Sequence, residues 1–354
     1  MTINVPRRRF LAGAGTAAIA LTALGLVPAP ATAPVRGLYN WIHGTGDAER
    51  AFAFYNAVFG MALARSPFAG GASALPEPIR PASQAASDPL VWDLTNTHGS
   101  RFRTVFMRAS NTPFGLELSE FFDIPRADRV PNPWDPGAST LIFAVRDLDV
   151  VAGRLKARGA PVVTLGGAPL VTPSGRAVLV RDPDGCLIEV RQAAPTAVAQ
   201  AKQPGDVIET SIGITVASRE RARDFYEKLL GFVVKDTRTV SSAELRLRGL
   251  SAGTVTETSM SIPGTAVNVV LSQFALPPGI TPPARPFQWQ LQDVGSPQFQ
   301  LEVSGLDALI ARTKSDGYRF LSVGANPIQR AFWRFVFAID PDRVLVEFVE
   351  PTAR

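Results

Sequence analysis

The chain has 354 residues, 46% hydrophobic and 19% charged, with one cysteine and two histidines. That apolar share excludes wholesale disorder and is enough for about two domains. The formal charge of +5 includes Arg7, Arg8 and Arg9, which sit in an N-terminal targeting segment, so no basic footprint for nucleic acid remains. A lone Cys186 excludes an intramolecular disulfide or a cysteine cluster, and two imidazoles exclude any three-histidine site.

In chain order, the first feature is an address. Arg7-Arg8-Arg9-Phe10-Leu11 fits the twin-arginine pattern RRxFL, followed by a small-residue apolar run from Ala12 to Val27. The run is too short and too rich in Ala and Gly to span a bilayer, which needs about 20 apolar residues. Ala29-Pro30-Ala31 and Ala31-Thr32-Ala33 both offer small-residue cleavage sites; the second would leave Pro34 just after the cut, so the first is better. Residues 1–33 are therefore expected to be a removable twin-arginine signal peptide, giving a periplasmic or secreted bacterial protein with no membrane contact after cleavage.

The remaining chain repeats itself. AFAFYNAVFGM around Tyr55 answers ARDFYEKLLGF around Tyr226, each an amphipathic helix stopped by a Gly. Asp47 and Ser218 stand where they cap those helices, and extended apolar segments precede both. A second pair is tighter: VRDLDVVAGRLKARG from Val145 to Gly159 matches VSGLDALIARTKSDG from Val303 to Gly317. Each is followed by an Asp-Pro-Asp turn and a strand carrying a Glu, DPDGCLIEV with Glu189 and DPDRVLVEF with Glu347. Four units, each a strand, a helix and several strands, thus form two similar halves. Phe68 to Pro89 and Ile124 to Pro136 read as loops, and Ala193 to Pro204 as the linker.

These repeats resemble the vicinal oxygen chelate superfamily, which includes glyoxalase I, extradiol dioxygenases and bleomycin-resistance proteins. The resemblance runs from about Leu38 to Val349. It implies an α+β fold of four βαβββ units in two tandem glyoxalase-like domains, residues 34–192 and 205–354 around a linker at 193–204. It also implies ligand cups between paired units, with a divalent metal held by residues of first and last strands. Carried over by motif spacing, those positions are Asn40, Glu117, Thr140 and Glu189 in the first half, and Ser211, Val270, Gln298 and Glu347 in the second. No imidazole occurs among them. Amide, hydroxyl and carboxylate oxygens suit transition metals poorly, so no metal cofactor is expected; a hard divalent cation at Asn40, Glu117, Thr140 and Glu189 is the exception allowed.

His43 sits three positions from Asn40 and so faces the other side of its strand, and His98 lies in a hairpin turn; both read as structural or exposed. Cys186 has no adjacent histidine in sequence, which argues against a catalytic thiolate. Glu189 is the candidate general base, with Glu117 sharing its cavity, and Trp134 the candidate flap over that first cup. Two functions stay open ahead of a third, a purely structural or interaction module with neither cup open. One is an exported protein binding a small organic molecule without the family's transition metal. The other is a lyase, isomerase or dioxygenase using Glu189 and Glu117 as base or hard-cation ligands.

Overall fold

The computed structural model describes residues 33–68, 75–112, 115–281 and 287–352. The twin-arginine motif and the apolar run after it lie outside the described residues. Among those described, no helix is long and apolar enough to cross a membrane.

Each sequence repeat folds as a βαβββ unit. The first comprises β1 (Val35–Gly44), α1 (Ala48–Phe59), β2 (Ala62–Leu63), α2 (Pro89–Thr95), β3 (Arg101–Arg108) and β4 (Gly115–Phe122). The second comprises β5 (Ser139–Val145), α3 (Leu148–Ala157), β6 (Leu170–Thr172), β7 (Gly175–Arg181) and β8 (Leu187–Gln192). A short helix, α4 (Pro195–Gln200), lies in the segment read as a linker. The third unit has β9 (Val207–Thr215), α5 (Arg219–Arg223), β10 (Val233–Thr239), α6 (Ser242–Leu247), β11 (Thr254–Ser261) and β12 (Asn268–Ala275). The fourth has β13 (Pro297–Val303), α7 (Leu306–Ser315), β14 (Arg319–Phe320), β15 (Ile328–Arg330), β16 (Trp333–Ile339) and β17 (Leu345–Pro351).

Local chemistry accounts for the helix that opens each half. Asp47 accepts the backbone N–H of Arg50 at 3.0 Å and so satisfies one of the free donors at the start of α1. Ala51, Phe54, Tyr55, Val58 and Phe59 recur at helical spacing and are buried. Gly60 ends the helix at φ +66, a left-handed conformation that a Cβ would strain. Its counterpart in the second half differs from the plain helix expected: α5, capped by Ser218, runs on into a π-helical turn at Asp224–Leu229. That wider turn still buries Phe225, Tyr226 and Leu229.

Pairing between units is where the structure departs from the sequence reading. Among the described residues one sheet runs β14-β16-β17-β13-β1-β4-β3-β2, with β15 on β16, and the other runs β10-β11-β12-β9-β5-β8-β7-β6. Unit one therefore completes its sheet with unit four, through antiparallel β1 and β13, and unit two with unit three, through antiparallel β5 and β9. Each half of the sequence instead coheres through its helical faces. Tyr55 donates to Asp182 Oδ2 at 2.8 Å, and Phe59 stacks on Phe143 with ring centroids 4.9 Å apart. In the second half Tyr226 donates to Asp340 Oδ2 at 2.7 Å. One continuous apolar core, containing Trp41, Tyr55, Phe143, Tyr226, Phe299 and Phe348, fills the space between the sheets.

The FY helix and the Asp-Pro-Asp turn, separate motifs in the sequence, thus meet in both halves. Both Tyr and Asp side chains are fully buried there, so removing the donor strands a polar group. Tyr226→Phe should lower the unfolding free energy by about 1–3 kcal/mol, the cost of an unmet buried hydrogen bond. Urea denaturation read by circular dichroism measures it, and an unchanged midpoint would count against this role.

Candidate functional site: two cups of unequal content

Strand pairing decides which side chains share a cup. Along β1, Asn40 and Ile42 point to the same face, and in register Ile42 lies beside both Glu117 on β4 and Gln298 on β13. Gln300 on β13 lies beside Asn40 on one flank and Glu347 on β17 on the other. The four corners of this cup are therefore Ile42, Glu117, Gln300 and Glu347. The first-strand corners fall two residues beyond the Asn40 and Gln298 positions expected from motif spacing.

Above that floor opens a cavity of about 510 Å³. Its walls come from α2 (Val91, Leu94), β3 (Phe102, Phe106), β4 (Phe121) and β16 (Trp333, Phe335, Phe337). Phe68 closes an aromatic group at one side, with ring centroids 5.3 Å from Trp333 and 5.1 Å from Phe335, both edge-on.

The polar floor is one chain of hydrogen bonds plus one loose end. Asn40 Nδ2 donates to Gln300 Oε1 at 2.7 Å, and Gln300 Nε2 donates to Glu347 Oε2 at 2.7 Å. Glu117 Oε1 receives a long hydrogen bond from Ser119 at 3.4 Å, while its Oε2 is buried with no partner. Burial, reinforced by the Glu347 charge and opposed by the Ser119 hydrogen bond, pushes the Glu117 carboxyl up to about 8. Burial likewise pushes Glu347 up to about 7, opposed by the Gln300 hydrogen bond. At neutral pH the pair holds at least one proton, so it presents a donor and an acceptor together.

The other cup is filled. Its corners are Gly213, Val270, Ile142 and Glu189, by the registers Val270 with Gly213 and Ile142 with Glu189. Only about 20 Å³ is left. Arg248 reaches in to pair with Glu257, and Arg238 bridges Glu257 and Glu244 at 2.7 Å each. Ser174 donates to Glu244 at 2.9 Å. Glu189 pairs with Arg191; burial would raise its pKa, but Arg191 and Arg248 outweigh this and hold it below the ordinary value. Trp134 packs with Leu245, Leu250 and Phe274 beside this filled cup.

A single cup containing Asn40, Glu117, Thr140 and Glu189 is therefore corrected. Glu117 lines the open cup and Asn40 adjoins it through Gln300, Thr140 and Glu189 line the filled one, and Trp134 lies beside the filled cup rather than over Glu117. The reason is the antiparallel pairing across halves, which motif spacing does not encode. Gln300 was not singled out; the alternation Gln298-x-Gln300 on one strand was the available signal for it.

A third grouping also escaped the sequence. His43, Asp182 and Cys186 come together on the far face of β1, away from the open cup, with their donor atoms within 4.8 Å of one another. Cys186 thus has a histidine beside it after all, brought by the fold rather than by sequence.

The donor set of the open cup does not fit the transition metal implied by the resemblance. One corner, Ile42, offers no donor, and Gln300 turns an N–H toward Glu347 where a ligand would turn a lone pair. Two carboxylates remain, which is the chemistry of a hard cation or of a shared proton.

Paired βαβββ units around a cup define the class of protein, and sequence comparison names it. The Glyoxalase family, described as the Glyoxalase/Bleomycin resistance protein/Dioxygenase superfamily, matches residues 42–190 and 210–348, and this chain belongs to it. No curated protein matches it in sequence. Among solved structures, glyoxalase I from Zea mays is similar at TM-score 0.53 and 17% identity, over 89% of this chain and 92% of that one. A putative dioxygenase from Bacillus subtilis subsp. subtilis str. 168 is similar at TM-score 0.53 and 12% identity, over 91% and 87%. At those identities the likeness is one of fold.

Two outcomes test the electrostatics. Glu117 and Glu347 titrate above their unfolded value of 4.5, so between about pH 4.5 and 8 the native state holds the extra protons. Their contribution is whole below that window and is lost as pH rises through it. Glu117→Gln should flatten the fall in unfolding free energy from pH 5 to 8, read from urea denaturation, by on the order of 1 kcal/mol per pH unit. A parallel pH profile would contradict the shift. In the filled cup, Arg248→Met should cost about 3 kcal/mol, the low end for truncating a buried pair because Arg238 still holds Glu257. A midpoint equal to wild type would show that Arg248 is not needed there.

Proposed function

We propose that the open cup between the first and fourth units binds a small organic molecule without a transition metal. The ligand is flat or largely apolar and carries one hydrogen-bonding oxygen or nitrogen. The observation that carries this reading is the unpartnered Glu117 Oε2 at the floor of an aromatic-walled cavity of about 510 Å³. A cavity of that size suits a drug-sized ligand, and such sites pair apolar walls with a few convergent polar groups. Glu117 and Glu347 supply those groups, able to donate to a carbonyl or accept from a hydroxyl or amine. Trp333, Phe335 and Phe68 supply the stacking faces.

Chelator-treated protein should show a thermal shift with members of a panel of aromatic and dicarbonyl compounds. At about one hundred times Kd the gain is about 2.7 kcal/mol. Trp333→Ala and Glu117→Ala should each weaken binding at least tenfold, while Arg248→Met leaves it intact. A uniformly flat panel on folded protein would sink the proposal, and a shift that needs a transition metal restored would sink its metal-free part.

One observation favours an enzymatic reading beside it. A buried carboxyl near neutrality with a free oxygen is placed to move a proton to or from a bound ligand, as in an isomerase or lyase. Exchange of a ligand C–H for deuterium in D₂O, lost in Glu117→Gln with binding retained, would support it. No exchange in any bound ligand would leave a binding protein.

Export is the remaining part of the proposal. The RRxFL motif and the small-residue cleavage sites support a twin-arginine route to the periplasm or exterior. Lys in place of both Arg7 and Arg8 should strand uncleaved protein in the cytoplasm of a bacterial host; normal processing of that variant would overturn the route.

A further inference from the structure

We propose that His43, Asp182 and Cys186 form a second site, separate from the open cup, that binds a zinc-like divalent cation. The three residues come from two units of the first half. His43 lies near the end of β1, and Asp182 and Cys186 flank the turn between β7 and β8.

Geometry supports the donor set. His43 Nε2 stands 3.6 Å from Asp182 Oδ2, and all three donor atoms lie within 4.8 Å of one another. Tetrahedral zinc with nitrogen and oxygen at about 2.0–2.2 Å sets those two ligands about 3.4 Å apart, so the existing spacing needs little adjustment. Thiolate, imidazole and carboxylate are the mixed set that zinc favours, and together they neutralise its charge. Binding would release the Cys186 thiol proton to solvent as the sulfur–metal bond forms. A surface cavity of about 320 Å³, lined by Arg50, Asp182 and Pro183, lies next to this group on the Asp182 side.

A second observation points to a ligand. His43 is 1% exposed, yet neither ring nitrogen has a hydrogen-bond partner. A buried imidazole left this way is costly unless something else satisfies it.

The other half of the chain shows that the turn itself does not require these side chains. There Asp340 accepts the backbone N–H groups of Asp342 at 2.9 Å and Val344 at 2.8 Å, and the hydroxyl of Tyr226. Asp182 accepts the same three kinds of donor from Asp184, Cys186 and Tyr55. Where the first half has Cys186 four residues after the Asp, the second has Val344. Where the first has His43 four residues before the helix cap, the second has Ile214. The turn is thus built with apolar residues in one half, and the metal-ligating pair is an addition in the other.

Cobalt titration of the full-length purified protein tests the site. One equivalent of Co²⁺ should produce the near-ultraviolet sulfur-to-cobalt charge-transfer band and the visible bands of tetrahedral cobalt, and Zn²⁺ should erase both. Cys186→Val should abolish the charge-transfer band, and His43→Ile should weaken Co²⁺ binding at least tenfold. Both variants copy the second half and are expected to fold, which circular dichroism confirms. Glu117→Gln should leave the band unchanged, which separates this site from the open cup. Absence of the band with folded wild type at tenfold excess Co²⁺, or its survival in Cys186→Val, would overturn the proposal.

Discussion

Antiparallel pairing of β1 with β13, and of β5 with β9, is the constraint from which the rest of the molecule follows. It puts Trp41 opposite Phe299 and Asn40 opposite Gln300, residues from opposite ends of the chain. Because side chains alternate across a strand, that register alone sets which groups line each cup and which join the core. A shift of one residue would send Gln300 into the apolar interior and Phe299 into the cavity. The edge-on contact of Trp41 with Phe299, centroids 4.8 Å apart, makes such a slip costly.

The two cups share a scaffold and solve the problem of a buried carboxylate in opposite ways. In one, guanidinium groups of Arg191, Arg238 and Arg248 compensate Glu189, Glu244 and Glu257, and their bulk takes up the space. In the other, no arginine or lysine among the described residues forms an ion pair with Glu117 or Glu347, Arg330 on the cavity wall being paired with Asp88, and burial favours protonation instead, which leaves the space open to hydrogen-bonding partners. Charge compensation yields a structural plug; its absence yields a cavity.

Much of this architecture was legible in the residues. Helical spacing around Tyr55 and Tyr226, the stops at Gly60 and Gly231, and the paired Asp-Pro-Asp turns identified the units because each signal is local. Glu347 was found because it stands at a fixed distance from its turn, and Glu117 because the family resemblance puts a last-strand ligand position there. Their partnership was not, since pairing between distant strands rests on non-local packing that no single segment carries. For the same reason Glu189 was grouped with Glu117 although Arg191, two residues along the same strand face, already offered it a counter-charge. His43 was correctly placed on the face away from Asn40 by alternation, but the proximity of Cys186 depends on how α1 docks against the turn after β7.

Because each sheet is completed by strands from opposite halves, the order of synthesis matters. β1 and β5 leave the ribosome long before β9 and β13 exist to cover them. Until then the nascent chain carries two apolar strands with open edges, the kind of template that other polypeptides can extend. Contacts spanning this much sequence also slow closure. The molecule therefore passes through a stage in which it depends on being shielded from its neighbours, which ends for β5 when β9 is made and for β1 only with β13.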